Sequence, residues 1–404
     1  MLVPLRELIG RAADRFAWYE TWSGATSDRV SELGQLPLLT ASVLEAHYYA
    51  DDNPLAHADG YRVYRTSGTS AGRRKAIFYS PRDEEEYMRI KLDVFREILG
   101  RYGYRTAMSD VGTGHAEATA SAVFRQLGMT VESLSFQLPI AHHLERLATF
   151  KPEVLYTMPS ILDRIMLASD DPAAYGIRHI VLVGEMASPG WIARVAERMR
   201  IDAKRITDTY GSIEIGTIAH YSHEHGRYVF ADGILAEGVG TEALGAGFEP
   251  LSEPSESVLV LTSAVRDAFP ALRYVTYDVV RDLRPIEIDG AERMSFASLV
   301  RRIGPDLKHG EKISIYDIEG VVFRHLAEAS IRVHVRDNAL SVTVYGKGAE
   351  SETLARIRDD LADRIPDIGG MIRAGILGGI EVTGEAYDDD IHRGAVKNKK
   401  IYYT

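Results

Sequence analysis

Residues 66–75, TSGTSAGRRK, place two glycines, four small hydroxyl side chains and three cations in ten positions. Gly68 and Gly72 admit backbone conformations closed to other residues, while Thr66, Ser67, Thr69 and Ser70 add hydroxyl donors to the backbone amides. Such a loop makes an anion nest to which Lys75 adds a point charge, and phosphate is its natural guest. The same residues also suit a plain polar turn between two strands, and neither GxxxxGK[ST] nor GxGxxG is present. A second cluster, His220, His223 and His225 in AHYSHEHGRY, has the spacing to hold zinc, but no full ligand set is evident and a polar hairpin is the better reading. The C-terminal HRGAVKNKKIYYT carries Lys397, Lys399 and Lys400, which a solvated tail would also carry.

Strand-like runs bracket the glycine loop, and a long helix follows in SPRDEEEYMRIKLDVFREILGRYG, with Ser80 as N-cap and Pro81 at its first position. Its acidic first turn suits the helix dipole. Short apolar runs then recur in RTAMSDVG, GMTVESLS, PEVLYTMP, IRHIVLVGE and AKRITDTYGS, separated by helical stretches such as SILDRIMLAS and GWIARVAERMR. Buried parallel strands joined by crossover helices produce that alternation. Residues 227–300 are β-rich, and a βαβ-like unit with a hairpin around Asp337 and Asn338 closes the chain. The expected fold class is α/β: a large N-terminal domain, residues 1–304, of parallel-sheet βα units plus a β-rich subdomain, then a small mobile α+β lid, residues 305–404, with the linker within 303–312.

The 404-residue chain is long enough for two or three domains, and its net charge of −11 argues against a protein that neutralises many nucleic-acid phosphates. It has no cysteine, which excludes disulfides, thiolate metal sites and a cysteine acyl-enzyme. The N-terminal MLVPLRELIGRAADRFAWYE reads as an amphipathic helix rather than a signal peptide, and no apolar run is long enough to span a bilayer. A cytoplasmic protein is expected, meeting small molecules rather than nucleic acid or membrane, with a homodimer left open.

Three motifs in fixed order add to this reading. The glycine loop resembles the TSGTTGxPK motif of the adenylate-forming enzymes, the superfamily of acyl-CoA synthetases, luciferases and nonribosomal peptide adenylation domains. DTYGSIEIG at 208–216 resembles its YGxTE motif, and LRYVTYDVVR at 272–281 its RYxTxD motif. FKPEVLYTMPSIL and the stretch from IRHIVLVGEMASPG to DTYGSIE are similar to the phenylacetate–CoA ligase branch. The resemblance covers roughly residues 60–300 and weakens in the last hundred.

That resemblance implies activation of a carboxylic acid by ATP to an acyl-adenylate with Mg2+, followed by capture of the acyl group. It assigns Thr66, Ser67, Gly68, Thr69, Ser70, Gly72 and Lys75 to the β- and γ-phosphates, although SAGRRK is longer than the usual TGxPK and lacks its proline, leaving Arg73, Arg74 and Lys75 as alternative phosphate cations. It places the Tyr210 ring against adenine beside Gly211, with Gly184 and Glu185 lining the same pocket. Ser212 stands near the α-phosphate, Glu214 holds Mg2+, and Asp278 accepts from both ribose hydroxyls. Arg302 or Lys312 substitutes for an arginine missing after RYVTYD. Gly112, Gly114, His115 and Ala116 line an acyl pocket roomy enough for an aryl or other bulky acid, and Lys400 matches the lid lysine of adenylation. Coenzyme A is the expected acyl acceptor. Amide formation with an amino acid or amine, or loading of a carrier protein, is the alternative, and a non-catalytic nucleotide-binding homologue stands behind both.

Overall fold

The structure is a computed structural model that describes the chain except for residues 1–3, 27–28, 51–52, 66–74, 112–114, 249, 304–314, 327–328, 337–338, 347, 374, 376, 387–400 and 404. At 115–116, 316, 336, 366–367 and 401–403 it describes the backbone alone. The chain divides into two compact units, Met1–Arg101 with Thr209–Gly304, and Tyr102–Asp208 with Pro305–Thr404. Both mix helices with sheets, as the expected α/β class requires.

In the first unit the amphipathic helix Leu5–Arg15 buries Leu8, Ile9 and Ala12. The short strands Arg62–Arg65 and Ala76–Tyr79 pair antiparallel, Arg65 opposite Ala76, so they fix the two ends of the glycine-rich segment. Helix Pro81–Leu99 starts as its sequence dictates: Ser80 caps it, Pro81 stands at its first position, and Asp83 returns the bond by accepting from the Ser80 amide at 2.9 Å. Two antiparallel ladders complete the unit. One runs Ile234–Val239, Glu256–Ser263, Tyr274–Arg281, Ser298–Arg302. The other pairs Ile206–Ser212 with Gly216–Ser222, then Arg227–Phe230, Ala291–Phe296 and Arg284–Ile288. Ile9, Tyr19, Leu39, Tyr48, Tyr79, Phe269 and Phe296 form the centre of its core, where each large apolar side chain withdrawn from water contributes roughly 1.5–3 kcal/mol.

Of the five runs read as buried parallel strands, four pair in parallel in the second unit, in the order Thr130–Leu134, Thr106–Asp110, Val154–Thr157, His179–Val183, while the fifth, Ile206–Ser212, makes the antiparallel pair with Gly216–Ser222. Each of their crossovers carries a helix, among them His115–Gln126, Ile140–Phe150 and Pro159–Ala168. Helix Pro189–Met199 follows the last strand. Residues beyond 314 build a smaller sheet, Gly379–Glu385, Ala339–Tyr345, Ser330–Arg336, Ile401–Tyr403. Ala339–Tyr345 and Gly379–Glu385 are parallel and joined through helices Ser351–Arg364 and Pro366–Arg373, the expected βαβ arrangement. This part has its own core of Ile318, Val322, Val333, Leu340, Val342, Ile357 and Leu361. The expected hairpin turn at Asp337 and Asn338 and the linker segment from residue 304 onward lie outside the described residues.

Candidate active site

Within the first unit, the hairpin between Ile206–Ser212 and Gly216–Ser222 carries Tyr210, Gly211, Ser212 and Glu214 on or beside its turn. The turn is tight. A Cβ on Gly211 would lie 2.8 Å from the Gly216 carbonyl oxygen, and Gly216 itself sits at φ 101°, where a Cβ would meet the Tyr87 ring at 2.9 Å. Ser212 Oγ accepts from the Ile215 amide at 3.2 Å and closes the turn. Two buried side chains hold it from beneath: Tyr79 Oη donates to the Ile213 carbonyl at 2.7 Å, and Arg266 Nε to the Glu214 carbonyl at 2.8 Å.

Asp278 reaches the same place through a β-bulge. Val275 and Val279 stand four residues apart, while their partners Val260 and Val258 stand two apart. Tyr277 takes up the excess at φ 62°, a left-handed conformation unfavourable for a tyrosine, and its hydroxyl accepts from the Ala41 amide at 3.0 Å. Thr276 Oγ1 pins the bulge, donating to the Leu259 carbonyl at 2.8 Å and accepting from the Asp278 amide at 3.1 Å. The Asp278 carboxylate then accepts from Tyr210 Oη at 2.6 Å, and Arg302, its cross-strand partner, brings Nε to 3.9 Å. Burial and the Asp278 carboxylate push the Tyr210 hydroxyl well up, so it stays a proton donor. Asp278 in turn holds the Arg302 guanidinium charged more firmly than usual. Burial and then the Glu214 carboxylate raise the Tyr274 hydroxyl well above its ordinary value.

Tyr210, Gly211, Ser212, Glu214 and Asp278 are thus gathered in one unit, and of the two substitutes read for the missing arginine, Arg302 stands beside Asp278 while Lys312 lies outside the described residues. Lys75 is described and turned to Glu45, with Nζ 2.5 Å from Oε1 and 4.7 Å from the Tyr49 ring centre. Thr66, Ser67, Gly68, Thr69, Ser70, Gly72, Arg73 and Arg74, like Gly112, Gly114, Lys397, Lys399 and Lys400, lie outside the described residues. In the second unit His115 and Ala116 open helix His115–Gln126. Gly184, at φ 80°, follows the strand His179–Val183. Both Glu185 oxygens cap helix Pro159–Ala168, accepting from the Ser160 amide and hydroxyl at 2.8 Å each. Of the three histidines, His220 is buried on its strand, where burial and the Arg293 charge push it down to about 4; Glu97, 3.4 Å away, pulls the other way but shares its charge with Arg293, so burial prevails.

A fumarate–(S)-2,3-diaminopropanoate ligase from Enterobacter agglomerans is 34% identical over 367 residues, 91% of each chain. The chain belongs to the adenylate-forming ligases. The family model of the fumarate–diaminopropanoate ligase C-terminal domain matches residues 308–388, and a phenylacetate–coenzyme A ligase of Thermus thermophilus is 26% identical over 275 residues, 62% of this chain and 56% of its own. A crystal structure of 2-hydroxyisobutyryl-CoA ligase bound to an acyl-AMP has the same fold, with a TM-score of 0.74 at 15% identity over 99% of this chain and 88% of that one. This adenylate-forming ligase is therefore an AMP-forming carboxylic acid ligase of the phenylacetate–CoA ligase-like branch.

The residues of this ligase suit Mg2+ on chemical grounds. No three His, Cys, Asp or Glu side chains gather among the described residues. Mg2+ bound with a nucleotide needs only one or two carboxylates beside the phosphate oxygens, and Glu214 offers a half-buried one at the tip of a rigid turn. No described helix of the ligase is long and apolar enough to cross a membrane. Arg266 and Asp83, which hold the Glu214 turn, belong to none of the motifs read from the sequence; the capping signal SPRD is the one local hint of Asp83.

Proposed function

We propose that this ligase activates a small carboxylic acid with ATP and transfers the acyl group to the amine of an amino acid, forming an amide. A carboxylate oxygen attacks the α-phosphorus, pyrophosphate leaves, and an acyl-adenylate forms. The amine nitrogen then attacks the acyl carbon, the C–O bond to AMP breaks with its electron pair leaving on AMP, and the amine proton passes to solvent. The observation that carries the first half is the meeting of Tyr210 and Asp278 at 2.6 Å, Tyr210 standing on the hairpin whose turn carries Glu214. In this reading Asp278 has lone pairs to spare for ribose hydroxyls after accepting from Tyr210, the Tyr210 ring flanks the base, and Ser212 faces the α-phosphate. Glu214 would hold Mg2+, which supplies charge neutralisation on the phosphates when bound. Residues 66–75 would clamp the β- and γ-phosphates, and residues 305–404 would act as the lid that carries Lys400.

The second half rests on the relative that matches over nine tenths of both chains, whose name makes it a ligase of fumarate, a carboxylic acid, with (S)-2,3-diaminopropanoate, which offers an amine. Fumarate and related short dicarboxylates are accordingly the first acids to test, ahead of the bulky aryl acids expected from the sequence. Similarity to phenylacetate–CoA ligases over a shorter stretch supports a second reading, transfer to coenzyme A. A pyrophosphate-release screen decides between them. Fumarate, succinate, phenylacetate, benzoate and fatty acids are offered with 2,3-diaminopropanoate, lysine, coenzyme A or hydroxylamine, and products are identified by mass. Amide formed with an amino acid is the expected result. A thioester as the sole product overturns the amide reading, and tight AMP binding without pyrophosphate release for any acid overturns both.

A further inference from the structure

We propose that Arg266 is a positioning residue for the adenylation half-reaction, acting through the backbone of the Glu214 turn, with Asp83 and Tyr79 as its partners. The proposal rests on the reading of Glu214 as the carboxylate that serves the Mg2+–nucleotide complex. Arg266 and Asp83 are almost wholly buried, with side chains 3% and 0% exposed, and meet at 2.7 Å. A buried pair of this kind has a large desolvation cost and replacement by apolar residues is often neutral or stabilising, so its presence calls for a reason other than stability.

The reason lies in what the guanidinium touches. Nε donates to the Glu214 carbonyl at 2.8 Å, Nη2 donates to the Phe78 carbonyl at 3.0 Å, and the plane lies 4.0 Å from the centre of the Tyr79 ring. Phe78 and Tyr79 end the strand that leads out of the glycine-rich segment. Tyr79 adds its own bond from Oη to the Ile213 carbonyl, next to Glu214. Asp83 in turn accepts from the Asp267 amide at 2.7 Å and the Ala268 amide at 2.9 Å, as well as from Ser80 at the helix start, so the segment bearing Arg266 cannot shift independently of that helix. One planar fork therefore fixes the distance between the exit strand of the phosphate loop and the carboxylate turn. Lysine offers a single point of charge and cannot span these acceptors.

Adenylation needs the Glu214 turn in register with the triphosphate, whereas acyl transfer from a finished acyl-adenylate involves no pyrophosphate and should tolerate a displaced Glu214. Displacement by about 1 Å is enough to lower a rate roughly 100-fold. Arg266→Lys, which keeps the ion pair with Asp83, should lower kcat for ATP–pyrophosphate exchange about 10- to 100-fold and raise the Mg2+ concentration at half-saturation several-fold. Tyr79→Phe, which keeps ring and core, should lower exchange to a smaller extent in the same direction. Two readouts lie outside the metal-loaded activity: calorimetric affinity for AMP without metal, and acyl transfer from synthetic acyl-AMP. Both should stay within twofold of the parent protein for each variant. Loss of all three in parallel, or full retention of exchange in both variants, overturns the proposal. If Arg266→Lys fails to fold, Tyr79→Phe alone decides. Failure of the underlying reading looks different, because then Glu214→Ala leaves exchange and its Mg2+ dependence unchanged.

Discussion

Replacing Asp278 by asparagine tests the proposed nucleotide contact most directly. The change keeps shape and one acceptor but removes the charge and turns one oxygen into a donor. Three terms follow from the structure. The Arg302 pair at 3.9 Å would be worth about 4 kcal/mol at an effective dielectric constant of about 20, but the arginine side chain is 63% exposed, which reduces the term to below about 1 kcal/mol. Tyr210 Oη, 2.6 Å from the carboxylate, can donate to the asparagine oxygen instead, so folding stability should change by less than about 1 kcal/mol. The ribose is different. Two hydroxyls donating to a carboxylate gain roughly 1.5–3 kcal/mol each, and asparagine can satisfy one of them, as a neutral acceptor. AMP affinity should therefore fall about 10- to 150-fold, since each 1.4 kcal/mol is about tenfold. The assay is calorimetry with AMP, 2′-deoxy-AMP and 3′-deoxy-AMP on both proteins. Removing a hydroxyl should cost the parent protein affinity and cost Asp278→Asn at least about 1 kcal/mol less, the coupling expected of groups in contact. Equal penalties in the two proteins, or AMP affinity in Asp278→Asn within twofold of the parent, would refute the ribose assignment.

Other perturbations test other parts of the site and fold. Gly211→Ala must push the Gly216 carbonyl from 2.8 Å, so the turn should open at a cost of roughly 1–3 kcal/mol and pyrophosphate exchange should fall at least tenfold; Gly10→Ala, in open space within helix Leu5–Arg15, is the control and should be neutral or stabilising by about 0.5–1 kcal/mol. Unchanged exchange in Gly211→Ala would show that the turn has slack. Burial holds the Lys91 ammonium down at about 7, while an unfolded lysine titrates near 10.4, so between these values the unfolded chain carries the extra proton and stability should rise with pH. Tyr48, Tyr79 and Tyr274 are raised by burial, so above about pH 10 the unfolded chain loses protons first and stability should fall. Urea midpoints measured across this range should climb and then turn over, and Lys91→Met should flatten the climb alone; a climb that survives the substitution counts against the assignment.

The parallel strands Val154–Thr157 and His179–Val183 were legible because each is a short, largely apolar run followed by turn residues and separated from the next by helical periodicity. Glu214 and Tyr210 were legible for another reason: the glycines that make their hairpin possible are part of the motif. Gly211 clears the Gly216 carbonyl and Gly216 takes a positive φ, so the pattern YGSIEIG records a backbone path as well as side chains. Asp278 was legible as a letter in RYVTYD, but its placement was not. The run of β-branched and aromatic residues there reads as an unbroken strand, and nothing local says that Tyr277 adopts φ 62° and bulges Asp278 toward Tyr210. That outcome depends on the Ala41 amide meeting the Tyr277 hydroxyl and on Leu259 receiving Thr276, contacts from residues distant in sequence.

Asp83 shows where a local signal is right and incomplete. SPRD announces a helix start, and Asp83 does accept from the Ser80 amide as a capping residue should. An ordinary cap lies at the surface, yet this one is buried beneath the 266–268 segment, and its two oxygens also serve Asp267, Ala268 and Arg266. Propensity can place the helix start, because the capping bond joins residues three apart. It cannot place the ion pair, because that contact joins residues 183 apart and exists only once the helix, the strand Ala76–Tyr79 and the Glu214 turn have packed together. The motif residues are thus those whose chemistry is visible one segment at a time, and the residues that hold them in register are visible only when the segments meet.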